Sequence, residues 1–123
     1  MQTPTQEEHE LLTEHLIMPF LLNVLQDNIE KTKDSQLRFG ELFVLHMETL
    51  MDKVSQKHAV IRQELRKREI KVVDQEHNRE ELRANFVCRG YKGRKVIFMT
   101  RVKTEIEIKL AELLKIDILK IRK

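Results

Sequence analysis

The sequence predicts a mainly α-helical, α+β protein, in which a long antiparallel helical hairpin, a small β-hairpin and a C-terminal helix form one domain over residues 1–123. Three observations predict it. Apolar residues recur at helical spacing through two long stretches of the first half. Only three glycines and two prolines punctuate the chain, too few for the many turns of a β-sandwich but enough for a few long rods. Residues 82–99 instead alternate apolar and polar side chains around a glycine turn. The length suits one core. Hydrophobic residues at 41% and charged residues at 35% exclude wholesale disorder. With five Phe, one Tyr and no Trp, that core is aliphatic.

Helix 1 is expected over residues 6–31. Thr5-Gln6-Glu7-Glu8 reads as a capping box, with a hydroxyl and a carboxylate three residues apart to satisfy the first backbone N–H groups. Leu11, Leu12, His15, Leu16, Met18, Leu22, Leu25 and Ile29 then recur at helical spacing. Pro19 lies inside this run and is expected to kink or split it. Residues 31–35 form the turn, with Asp34 or Ser35 able to cap the second helix.

Helix 2, over residues 36–68, carries Phe39, Leu42, Phe43, His46, Met47, Leu50, Val54, Ile61 and Leu65 along one stripe. An unbroken helix of that span is about 50 Å long, whereas a compact chain of this size has a radius of gyration of about 14 Å. The helix therefore overhangs the fold or breaks near Lys53-Val54-Ser55. An overhang points to an elongated hairpin or a dimer.

The β region spans residues 70–99. Ile70-Lys71-Val72-Val73 is a short strand, and Asp74-Gln75-Glu76-His77 reads as a solvated turn. Leu82, Ala84, Phe86 and Cys88 alternate with polar or outward positions, the period of a half-buried strand. Gly90-Tyr91-Lys92-Gly93-Arg94 reads as the hairpin tip before a strand over 95–99. A terminal helix over 100–122 closes the chain. Residues 104–110 alternate strictly and fit a strand as well, but length and composition favour helix. Ile106, Leu110, Leu113, Leu114 and Ile121 make one face and Ile108, Ile116 and Leu119 a second, so this helix is expected to be covered on two sides, the second by a partner chain. Ile106, Ile108, Leu110, Leu113, Ile116 and Leu119 are the candidate oligomer interface.

Charge is divided unevenly. Residues 1–60 hold five bases and ten acids; residues 61–123 hold eighteen and ten. Between Glu81 and Glu105 there is no acid and there are seven bases. Arg89, Tyr91, Lys92, Arg94, Lys95, Arg101 and Lys103 are thus candidate contacts for nucleic acid or another partner, since clustered bases neutralise phosphates and an aromatic stacks on bases. The competing expectations are pairing with the acidic front half, or a strand edge guarded by charge. A winged-helix reading would use residues 60–68 as recognition helix and the 82–99 hairpin as wing. Residues 47–58, however, hold neither the Gly nor the Pro of the tight turn it needs.

No catalytic constellation is legible. There is no phosphate-binding glycine loop or nucleophile elbow. None of the five histidines follows a Glu at the spacing of a di-iron bundle, and the lone Cys88 can form no internal disulfide or cysteine-based zinc cluster. His15 and His46 read as core or interface histidines. No metal, cofactor or catalytic residue is assigned. The lone cysteine, the absence of a signal-peptide pattern, and a longest apolar run of seven residues, 16–22, that Pro19 interrupts point to a cytoplasmic protein that does not cross a membrane. The expected function is non-enzymatic: protein–protein interaction or oligomeric scaffolding, as a homodimer. The alternative is a nucleic-acid-binding regulator.

Lys-Arg-Glu-Ile-Lys-Val-Val at 67–73 and Cys-Arg-Gly-Tyr at 88–91, set between a helical front half and a closing helix, resemble segments of small uncharacterised helical proteins of spore-forming Gram-positive bacteria. The resemblance implies a bacterial cytoplasm and no particular activity.

Overall fold

A computed structural model describes residues 3–120. The element order is α1 (Gln6–Asp34), α2 (Gly40–Lys67), β1 (Ile70–His77), β2 (Glu81–Cys88), β3 (Tyr91–Phe98) and α3 (Met99–Leu114), followed by a short 3-10 turn at Ile118–Lys120. The expected mainly α architecture is present: a long helical hairpin, a small antiparallel sheet and a closing helix.

Helix α1 is the spine. Thr5 caps it, its side chain accepting from the Glu8 N–H while the Glu8 carboxylate accepts from the Thr5 N–H. Leu16, Ile17 and Met18 are consecutive and all buried. Successive helical residues are about 100° apart, so three in a row need neighbours around more than half of the helix. These are α2 and the inner face of the sheet, with α3 alongside. Within the single chain, the helix covered on two sides is α1. Pro19 does not split it: α1 runs unbroken past that residue to Asp34, because packing on both sides outweighs one lost hydrogen bond.

Helix α2 starts later than its apolar stripe suggests. Neither Asp34 nor Ser35 caps it. Ser35 instead closes α1, and Phe39 stands at the start of α2 in the left-handed region (φ 62°) with no side-chain cap. The helix does not break near Lys53–Ser55. Its buried residues are Val44, Leu50, Val54, Ile61 and Leu65, which leaves the first turn projecting past the core, the overhang that its length implied.

The sheet has the order β1-β2-β3, antiparallel throughout. Strand β1 continues through residues 74–77, where a turn was expected, with a bulge between Val72 and Asp74. The β1–β2 turn is held by the Asn78 side chain, which accepts from the N–H groups of Glu80 and Glu81. The β2–β3 turn is only Arg89-Gly90, both at positive φ (48° and 89°) between the paired Cys88 and Tyr91, the geometry whose twist matches that of the strands. Tyr91 to Arg94 thus belong to β3 and not to the tip.

Leu82, Ala84, Phe86, Cys88 and Ile97 face inward and are buried. Cys88 is inert in this position, burial pushing its thiol up. Helix α3 has the expected helical form over 104–110 but stops at Leu114, where Lys115 turns left-handed (φ 58°). Ile116 and Leu119 consequently lie beyond it, and Ile121 lies outside the described residues.

Gly93 pairs with Phe86, and a Cβ at Gly93 would stand 2.4 Å from Phe86 Cζ. The glycine is there for the ring, which is buried beneath the sheet with His9 edge-on to it at 6.3 Å. Gly93→Ala is expected to cost about 1–3 kcal/mol, the usual penalty of overpacking. Urea denaturation should show a clearly smaller cost in a Phe86→Leu background; equal costs in both backgrounds would disprove the contact.

Candidate functional site

Three features stand out from the packed core. The first is a clasp at the start of α1. Glu8 is buried, yet it is an acid. The Arg89 guanidinium donates to both its oxygens, at 2.8 Å to Oε1 and 3.1 Å to Oε2. Arg68 stands 3.6 Å from Oε2 and also pairs with Glu7 and Glu64. Arg89 further donates to the Arg68 carbonyl at 2.7 Å, tying the β2–β3 turn to the end of α2. The Arg89 hydrogen bonds, aided by the Thr5 N–H and the Arg68 charge, outweigh the effect of burial and lower the Glu8 pKa from 4.5 to about 2. Glu14 with Lys109 at 3.4 Å is a second link of this kind, from α1 to α3.

The second feature is a histidine pair. His58 Nε2 of α2 and His15 Nδ1 of α1 are 3.1 Å apart. Burial pushes both imidazoles below their usual range, helped by each other's charge at His15 and by the Arg62 charge at both. The neighbouring His15 backbone works the other way at His58. The His15 carbonyl is the acceptor that Pro19, having no N–H, leaves without its helical donor.

The third is the open end of the helical hairpin. Phe39, Leu42, Phe43 and Leu45 are 70%, 64%, 57% and 60% exposed, and Leu37 beside them is exposed as well. Next to these projecting side chains lies a groove of about 410 Å³, walled by Leu25, Phe43, Met47, Leu50, Leu110 and Leu114. His46 is exposed on its rim.

The basic residues singled out from the sequence do not share one surface. Arg89 is committed to Glu8. Tyr91 is half-buried against the core, and Lys95 is half-buried on the same face, its amine pushed down by burial and by nearby Arg101. Lys92 and Arg94 point outward and are exposed, as are Arg101 and Lys103 on α3. Of the apolar residues, Ile106, Leu110 and Leu113 pack partly buried on the chain's own core. Ile108 is half-buried, and Ile116 and Leu119 are exposed. Among the described residues no group of three or more His, Cys, Asp or Glu side chains is placed to hold a metal ion, and no helix is long and apolar enough to cross a membrane.

Sequence reasoning placed Glu8 in the capping box without its arginine partners, and it did not pair His15 with His58. Partners 81 and 43 residues away leave no local pattern.

The family model described as YhjD protein matches residues 3–118, nearly the whole described chain. The chain belongs to the YhjD protein family. No curated protein and no solved structure matches it. In this YhjD family member the clasp joins the first helix, the end of the second and the tip of the sheet.

Since the Glu8 pKa is lower in the folded chain than in the unfolded one, its contribution is complete above pH 4.5 and is lost as the pH falls through about 2. Glu8→Gln is expected to lose about 2 kcal/mol at neutral pH, as hydrogen bonds to charged groups do. It should also flatten the acid-side decline. Urea denaturation at pH 7 and at about pH 3 checks this, and an unchanged pH profile would rule the clasp out.

Proposed function

We propose that this protein is a non-enzymatic interaction protein that self-associates as a homodimer through the open end of its helical hairpin. The observation that carries this reading is Phe39. A bulky residue at positive φ is strained, at a cost of order 1–3 kcal/mol, and here the strain holds an aromatic ring in water. Asn or Gly would suit both the conformation and the capping position better. A ring kept there against the preference of the backbone is explained if it has a surface to fill.

A second copy fits as the occupant. Knobs (Phe39, Leu42) and an apolar groove of about 410 Å³ lie side by side at one end of the molecule. A two-fold axis through that end places the knobs of each copy in the groove of the other, as an isologous interface requires. The exposed parts of Leu37, Phe39, Leu42, Phe43 and Leu45 amount to on the order of 500 Å² of apolar surface. That compares with about 800 Å² in all per partner for a standard stable interface. Leu114, which lines the groove, is exposed as well, as are Ile116 and Leu119 beyond the end of α3.

The setting we infer is the cytoplasm of a bacterium, supported by the lone reduced-type cysteine and by the resemblance carried by residues 67–73 and 88–91. Nucleic-acid binding through Lys92 and Arg94 is the weaker reading, because Arg89 is engaged by Glu8 and Tyr91 faces inward. The uninterrupted α2 also leaves no helix-turn-helix turn within residues 47–58.

Sedimentation velocity between about 1 and 100 µM should show a concentration-dependent monomer–dimer equilibrium. Phe39→Asn is expected to weaken the dimer at least about tenfold while raising monomer stability by about 1 kcal/mol. A wild-type monomer throughout the range, or an unaltered dimer in Phe39→Asn, would refute the proposal.

A further inference from the structure

At the opposite end of α2 a cavity of about 470 Å³ opens between α1, the last turns of α2 and the free edge of β1, lined by His15, Arg62, Leu65, Arg66, Glu69, Ile70, Lys71 and Val72. Its charge is one-sided. Arg68, Arg89 and Lys109 nearby are each paired with a carboxylate. The side chains of Arg62, Arg66 and Lys71, all exposed, have no hydrogen-bonding or ion-pair partner among the described residues, and Glu69 is the single acid in the lining. Arg66 lies in the last turn of α2, where a cation complements the helix dipole. Arg62 lies a turn earlier and Lys71 is on a strand, so the dipole accounts for neither.

We propose that this cavity binds a small tetrahedral dianion, a phosphate monoester with an apolar group, between Arg62 and Arg66 and beside the His15 imidazole.

Two arginines one helical turn apart line the cavity, and guanidinium N–H forks suit phosphate oxygens. The edge strand β1 adds backbone N–H groups that the sheet does not use. Leu65, Ile70 and Val72 form an apolar floor on which the ester group rests. The histidine pair supplies a further donor. When His58 donates to His15 Nδ1 across their 3.1 Å contact, neutral His15 carries its own proton on Nε2 and offers it outward. An anion beside His15 favours that arrangement.

Binding is therefore linked to pH. The charged groups around the pair are Arg62 and Arg66 of α2, Glu69 in the α2–β1 turn and Lys71 of β1. Burial first, and the Arg62 charge after it, hold both histidines below their usual range. A dianion reverses that field, so proton uptake and anion binding reinforce each other. The anion binds more tightly as the pH falls.

Sulfate is the first probe, because it keeps its double charge throughout the range and any pH dependence then belongs to the protein. Histidine resonances of the full chain should shift saturably with sulfate, more tightly at about pH 6 than at about pH 8. Phenyl phosphate should bind more tightly than inorganic phosphate. Arg62→Gln with Arg66→Gln should weaken sulfate binding at least about tenfold, while Lys92→Gln with Arg94→Gln, on the outer face of the sheet, leaves it unchanged. Circular dichroism confirms that both double variants remain folded. The absence of saturable shifts, an inverted or flat pH trend, or equal weakening in the two double variants would overturn the proposal.

Discussion

The whole fold depends on α1 being surrounded. Burial of Leu16, Ile17 and Met18 in succession forces α2 and the sheet onto opposite sides of one helix, and that constraint places the remaining elements. The sheet must turn its Leu82, Ala84 and Ile97 face toward Leu16 and Ile17, and Val102 of α3 joins the same cluster. Leu12, Met18, Leu21 and Leu25 meet Leu50, Val54, Ile61 and Leu65 of α2 in the other. Apolar contact alone leaves helices free to slide by a turn. The buried Glu8, reached by Arg89 at 2.8 Å, fixes the register, because a one-turn shift of about 5.4 Å would strand a charge in the core.

This constraint also explains what was legible in the sequence. The α2 stripe and the β2 alternation were readable because each buries one face, which is what periodicity reports. The end of β1 was not, since Asp74 to His77 form an exposed edge whose residues alternate in nothing. The β2–β3 turn was misplaced by Gly93, which resembles a turn glycine in sequence but serves the ring of Phe86. Helix α3 was drawn too long because Lys115 turns left-handed where a glycine would have marked the end. Phe39 misled in the same way, extending the stripe of α2 into a turn. For the candidate sites, the apolar residues of the hairpin end were visible but read only as part of the α2 stripe. The histidine pair and the Glu8 clasp depend on long-range proximity that no local spacing encodes.

The uneven charge of the two halves resolves into two populations. One is structural: Glu7, Glu8 and Glu14 on α1 meet Arg68, Arg89 and Lys109 from the second half of the chain, so part of the front-half acidity is answered within the same molecule. The other remains at the surface, where Arg62, Arg66 and Lys71 line a cavity and Lys92 and Arg94 cover the outer face of the sheet. Only unanswered charge is available for a ligand. Of the basic tip that looked most functional in the sequence, Arg89 is consumed by folding, while Lys92 and Arg94 stay exposed.

The two surfaces given roles lie at opposite ends of α2. From Phe43 to Arg62 the helix rises about 29 Å, several Debye lengths at physiological salt. Electrostatic coupling between an anion at Arg62 and a dimer at Phe39 is therefore negligible, and any coupling must be mechanical. Both surfaces are built on α1 and α2, which are held together near one end by the His15–His58 contact and further along by Leu50 in the core. Protonating the histidine pair adds charge where the helices touch, which would loosen that grip and let α2 shift along α1. With β1 starting directly after its end, α2 has little freedom to do so: Arg68, which closes the helix, is fixed by Glu7, Glu8 and Glu64. On the proposed readings, the clasp would confine the effect of an anion to its own end and leave the two contacts independent.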